Sequence, residues 1–209
     1  NMPSRGWKRA RFNQPWYIGD TIPVGIGQSY WTTTPVQLNT SVNTLINAGE
    51  RYIPQIIRGY MNTDSSVDLI PLKSLRPIEI KNRNNLDVVL NAMRDVVSGE
   101  EGGARHAFAD TPYDSAGKTG TAQLFTVGQN EKYDATKIDE RLRDNAMYVG
   151  FAPFNDPEIS VTVVLENVGG GSKNAAPVAR QIMDFYFRDR VFETAEADSA
   201  NTDNELGTN

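Results

Sequence analysis

Residues 114–125 read DSAGKTGTAQLF, and three chemistries overlap in them. Gly117-Lys118-Thr119 has the ending of a phosphate-binding loop, where backbone amides and a lysine cradle phosphate oxygens. Ser115 and Lys118 stand at the S-x-x-K spacing of a serine activated by a lysine. Lys118-Thr119-Gly120-Thr121 sets a positive charge and two hydroxyls around a residue without a side chain, a group suited to a substrate carboxylate.

The neighbours separate these readings. A phosphate loop needs glycine at position 112, where Pro112 stands, and it must open a helix, whereas the residues after Lys118 favour strand. The segment GIGQSY at 25–30 fails the dinucleotide fingerprint in the same way, since Tyr30 replaces its third glycine. A serine–lysine pair three apart meets on a helix, but on a strand its side chains point to opposite faces. The K-T-G reading needs a strand: Lys118 and Gly120 then share one face, with Thr119 on the other or at the edge. An exposed strand edge binds an extended peptide. Gly120 leaves room for the substrate, Lys118 supplies positive potential, and Thr119 and Thr121 offer hydroxyls. A backbone N–H just past the glycine is placed to help hold an oxyanion.

Other chemistry is sparse. The chain has no cysteine, which excludes disulfides and thiolate metal sites. His106 is the single histidine and reads as a loop residue, so acid–base work falls to Lys, Asp, Glu or Tyr. No motif calls for a cofactor or metal. The formal charge is −5, and Glu193, Glu196, Asp198, Asp203 and Glu205 account for all of it. The one basic cluster, WKRAR at 7–11, reads as solvated surface, so nucleic acid is not an expected partner. No apolar run is long enough to span a membrane, and the first residues have no signal-peptide core.

Several elements must position the motif. Residues 1–33, with Pro3, Pro15 and Pro23, read as irregular. Thr34, Pro35 and Gln37 form a capping box that opens a helix stopped by Gly49, with Leu38, Val42, Leu45 and Ile46 on one face. The segment 51–60 reads as extended, and a polar linker follows. Asn84 or Asn85 caps a second helix carrying Leu86, Val89, Leu90, Met93, Val96 and Val97, ended by Gly99. Three strands follow: the motif strand, AMYVGFAPF, and ISVTVVLEN, whose Ile159, Val161, Val163 and Leu165 alternate with mostly polar neighbours. The last two are joined by a short turn and so are antiparallel. Asn174 caps a final helix, with Val178, Ile182, Phe185 and Tyr186 expected on its buried face. This order predicts an α+β fold, helices on an antiparallel sheet, over residues 1–192, with a disordered acidic tail at 193–209.

With its flanks, the motif resembles a known family. KTGTAQ is similar to the third motif of the penicillin-binding serine acyl transferases. FNQPWYIGDTIPVGIGQSYWTTTPVQL, NEKYDATKIDERLRDNAMYVGFAPFNDPEISVTVVLEN and GGGSKNAAPVARQIMDFYF resemble elongation-type class B penicillin-binding proteins of the penicillin-binding protein 2 group of Gram-negative bacteria, over residues 3–187. The resemblance implies a five-stranded sheet of which three strands are present. It also implies a D,D-transpeptidase that cross-links peptidoglycan stem peptides at D-Ala–D-Ala and is acylated by β-lactams. Lys118, Thr119, Gly120 and Thr121 are then its catalytic and substrate-binding wall. Thr121 contacts the substrate carboxylate and lends its N–H to the oxyanion hole, and the GIGQ loop borders the cleft. The resemblance further implies cell-wall elongation partners and a place on the periplasmic face of the inner membrane. The anchoring helix and the S-x-x-K and S-x-N motifs are expected upstream of Asn1, so this chain alone is expected to be inactive. The alternative is a non-catalytic penicillin-fold module that docks peptides along the same edge.

Overall fold

The computed structural model describes residues 2–124 and 138–205. Its centre is an antiparallel sheet of β5 (Ala116–Ala122), β6 (Asn145–Ala152) and β7 (Ile159–Leu165), in that spatial order. Its register sets Lys118 opposite Val149, Thr119 opposite Tyr148 and Gly120 opposite Met147. Val149 in turn faces Thr162, and Tyr148 faces Val163. Part of the polar stretch after the motif strand, residues 125–137, lies outside the described residues.

Strand alternation gives the sheet two apolar faces. Tyr148, Val161 and Val163 pack with Phe108 against α5 (Gly171–Glu205). Ala116, Val149 and Phe151 pack on Val42, Leu38, Leu90 and Met93 of α3 (Pro35–Ile46) and α4 (Arg83–Ser98). The polar positions of β7 also meet α3: Asn39 Nδ2 donates to Thr162 Oγ1 (3.2 Å), and Ser160 Oγ donates to Asn39 Oδ1 (3.1 Å).

The capping box is as expected. Gln37 N donates to Thr34 Oγ1, and Thr34 N to Gln37 Oε1. The α4 cap is Asn82 rather than Asn84 or Asn85, because its side chain accepts from Asn84 N. Helix α5 opens at Gly171 rather than after Asn174. Asn174 Nδ2 instead closes the glycine loop by donating to Val168 O and Gly170 O.

Three expectations are corrected. The irregular reading of residues 1–33 misses α1 (Arg5–Phe12) and α2 (Ile18–Gly25). Ser4 caps α1 by accepting from Trp7 N, and Asn13 ends it in the left-handed region. The solvated reading of WKRAR fails at Lys8, which is 1% exposed, bonded to Asp20 at 2.5 Å and set over the rings of Tyr17 and Tyr30. The buried face of α5 is Ala175, Ala176, Ala179, Met183 and Phe187, while Ile182, Phe185 and Tyr186 face outward. Val178, expected on the buried face, does pack against this core, half-buried. Alanines let the helix lie close to the sheet, with larger side chains at 178, 183 and 187. Helix α5 runs through Glu205. Its extension includes the helix formers Glu193, Ala195, Glu196 and Ala197.

The segment after α3 forms two small ribbons, β1 (Arg51–Tyr52) with β4 (Ser74–Leu75) and β2 (Gly59–Met61) with β3 (Val67–Leu69). No helix among the described residues is long and apolar enough to cross a membrane.

Candidate active site

Lys118, Thr119, Gly120 and Thr121 all lie on β5, an outer strand of the sheet. The extended backbone decides between the overlapping motifs. Gly117-Lys118-Thr119 is interior to a strand and opens no helix, so it cradles no phosphate. Ser115 precedes the strand and is 1% exposed, and its hydroxyl has no hydrogen-bond partner among the described residues. Lys118 is exposed and turns its Nζ to Thr119 O at 2.7 Å. Ser115 and Lys118 therefore do not act together.

The strand is fixed at its entrance. Arg94 of α4 pairs with Asp114 and lies over the Phe154 ring, 4.9 Å from its centroid, while Phe154 N donates to Asp114 O (3.0 Å). The preceding loop is held by α5. Arg180 Nη1 donates to Ala107 O and Ala109 O, and Arg180 Nε bonds Asp184, which accepts from Tyr113 Oη at 2.6 Å. Burial first, and the Asp184 contact second, push the Tyr113 phenol well above its ordinary value. It stays a neutral donor. On the sheet face toward α5, the Tyr148 ring stacks on Phe108 (5.5 Å) and covers Gly117 and Gly150. Burial raises its phenol as well.

Beside Lys118–Thr121 lies a groove of about 420 Å³. Ile26, Gly27 and Gln28 after α2 form one wall, and Gly170, Gly171 and Ser172 at the start of α5 form another. Gln28 Nε2 donates to Thr121 O at 2.8 Å. Gly171 is pressed against the main chain at Gly120 and Met147, so a Cβ there would overlap both carbonyls. A Cβ on Gly103 would lie 3.3 Å from Ser172 Oγ and 3.6 Å from Thr119 Oγ1, which brings the loop after α4 to the Thr119 side of the strand. A Cβ on Gly120 would touch only Met147 Cβ, at 3.4 Å. The groove is therefore open above Gly120.

Sequence reasoning places the GIGQ loop at the cleft but misses the glycine turn before α5. The signal is there in the residues: three consecutive glycines can run against another main chain. His106 is exposed and is not among the residues lining the groove. Among the described residues no group of acidic or histidine side chains could hold a metal ion.

The penicillin-binding protein transpeptidase domain pattern matches residues 6–184. The chain belongs to the penicillin-binding protein transpeptidase family. Its relatives include the peptidoglycan D,D-transpeptidase MrdA of Haemophilus influenzae, 42% identical over 91% of this chain and 29% of that protein. Among solved structures it resembles Pseudomonas aeruginosa PBP2 in complex with WCK 5153, with TM-score 0.71 and 38% identity over 90% of this chain and 38% of the other. It also resembles Helicobacter pylori PBP2 in its complex with MreC, with TM-score 0.69 and 26% identity over 89% and 31%. The chain thus spans less than a third of the curated transpeptidase it matches, and the antiparallel sheet with flanking helices is the fold of this family.

Proposed function

We propose that this chain supplies the K-T-G wall of a peptidoglycan D,D-transpeptidase whose nucleophilic serine comes from outside these residues. The observation that carries the reading is the open groove along Lys118–Thr121, on an outer strand, in a chain of the transpeptidase family. The burial of Ser115 supports an external nucleophile.

In the reaction, the serine oxygen bonds the carbonyl carbon of the penultimate D-alanine. The C–N bond to the terminal D-alanine breaks, and that nitrogen takes the serine proton. An amine on a neighbouring stem peptide then bonds that carbon, the C–O bond to serine breaks, and the serine oxygen takes a proton from the amine. Lys118 attracts the substrate carboxylate and the Thr119 and Thr121 hydroxyls bond it. The Thr121 N–H donates to the carbonyl oxygen as negative charge develops. A β-lactam enters by the same contacts. The complete protein then works in cell-wall elongation at the periplasmic face of the inner membrane, with partners of the MreC kind seen in the Helicobacter pylori relative.

The test is labelling with a fluorescent penicillin. The complete gene product carrying this chain forms an acyl-serine adduct, and Lys118→Ala or Thr121→Ala slows its formation by about 10- to 100-fold, the size of losing one contact to the carboxylate, while the Thr121 N–H stays in place. Residues 1–209 alone form no adduct. An adduct on the isolated chain overturns the external nucleophile, and an unlabelled complete protein overturns the transpeptidase.

A further inference from the structure

The bond from Gln28 Nε2 to Thr121 O joins residues 93 apart and turns the carbonyl away from β6. In an antiparallel ladder, every second residue directs both its N–H and its C=O away from the partner strand. On β5 that set includes Thr119 and Thr121, because both carbonyls are met by side chains: Thr121 O by Gln28 and Thr119 O by Lys118 Nζ. Their N–H groups face the same open side. The edge therefore offers donors while its acceptors are taken.

Such an edge receives a carboxylate or a carbonyl oxygen directly. An extended peptide also brings an amide N–H, and that donor needs a carbonyl. Lys118 forms a charge-assisted bond, roughly twice as strong as a neutral one. Gln28 donates from a neutral carboxamide, the same chemical group as a peptide N–H, and it does so at an exposed site. Exchange there is like for like. A mere tether for the strand is not needed at this point, since β5 is registered with β6 along its whole length.

We propose that Gln28 determines specificity at this edge: its carboxamide stands in for the substrate's amide at the Thr121 carbonyl and is displaced when an acyl donor bearing an amide N–H pairs there. This rests on the transpeptidase reading above. Gln28 reaches the carbonyl because Gly27, at φ +78°, turns the chain after α2 toward β5.

The test uses the complete gene product and two β-lactams. One is a penicillin with an acylamino side chain, which has the amide N–H. The other is a carbapenem, which has none. Second-order acylation rate constants are measured for the unsubstituted protein and for Gln28→Ala and Gln28→Met. In both variants the ratio of penicillin to carbapenem rate constants rises about twofold to tenfold, the span of one neutral hydrogen bond. The readout is a rate constant, so a misfolded fraction does not alter it. An unchanged or lower ratio overturns the inference, and so does loss of all labelling in the variants while the unsubstituted protein still reacts. If the unsubstituted protein reacts with neither compound, the transpeptidase reading falls first and this inference with it.

Discussion

A Cβ on Gly117 would run into the Tyr148 ring, whose Cζ would lie 2.5 Å away, while a Cβ on Gly120 would meet one methylene of Met147. Two glycines of one short motif therefore serve different ends. Gly117 makes room for a core aromatic, and Gly120, on the transpeptidase reading proposed above, makes room for substrate. Gly117→Ala forces Tyr148 and Phe108 to repack and destabilises the fold by about 1–3 kcal/mol, the usual cost of overpacking. Gly120→Ala changes stability by no more than about 0.5 kcal/mol. It slows β-lactam acylation by at least about tenfold, because reacting atoms held off by a methyl lose their alignment. Urea denaturation and stopped-flow acylation on the complete protein separate the two, and a Gly120→Ala variant that acylates normally removes Gly120 from the site. Residue types at fixed spacing make Lys118–Thr121 legible in the sequence. The partners of Gly117 are not legible there, because Tyr148 meets it through strand register and not through neighbouring sequence.

The elements with local signals are legible too. Thr34 and Gln37 announce α3 by reciprocal capping, and β7 shows itself by alternation. Helices α1 and α2 are hidden because their order depends on a contact between them. Lys8 of α1 is buried against Asp20 of α2, under Tyr30. The Lys8 hydrogen bond, with one from Tyr17 N, holds the Asp20 carboxyl below its ordinary range. Burial pulls the Lys8 ammonium down, yet its contacts with Asp20 and Tyr30 together leave it above the ordinary lysine value. The signs follow by linkage. The Asp20 contribution is complete above the unfolded carboxylate range, about pH 4, and is lost as pH falls through the lower folded value. The Lys8 contribution is complete below the ordinary lysine range and is lost only as pH rises through the higher folded value. The pair is therefore constant across neutral pH. Asp20→Asn leaves a buried ammonium without its counter-charge and loosens α1 and α2, whereas Lys8→Met with Asp20→Asn restores much of the loss. Hydrogen exchange of the amides in 5–25 reads this directly: single-variant protection falls, double-variant protection recovers, and the acid-side dependence disappears in both. Equal protection in the single variant and the parent shows that the pair does not hold the helices. Gln28 follows α2 and reaches Thr121, so the same variant is expected to weaken the groove wall without touching β5.

At the scale of the whole chain, the described residues leave much apolar surface uncovered. Ile182, Phe185 and Tyr186 point outward from α5, at 43%, 65% and 41% exposure. Ile56, Met61 and Leu69 are also exposed, on and beside the small ribbons. The sheet has strands β5 and β7 at its two sides, with no further described strand on either. Unpaired edges and apolar faces of this kind invite self-association. The buried core, by contrast, depends heavily on small residues: Ala104, Ala146, Ala152, Ala175, Ala176 and Ala179. An alanine brings much less apolar area out of water than a leucine or phenylalanine, so this packing gives close approach with modest hydrophobic gain. We therefore expect residues 1–209, taken alone, to be marginal, with an unfolding free energy at or below about 5 kcal/mol, the low end for folded domains. Calorimetry should then show a broad, low-temperature transition, and sedimentation should show association growing with concentration. Replacing Phe185 by serine should reduce the association without lowering the transition, since its side chain already faces solvent in this fold. A sharp, high-temperature transition of a monomer would show that the sheet and α5 are self-sufficient. The outward residues of α5 would then need an explanation other than an uncovered face.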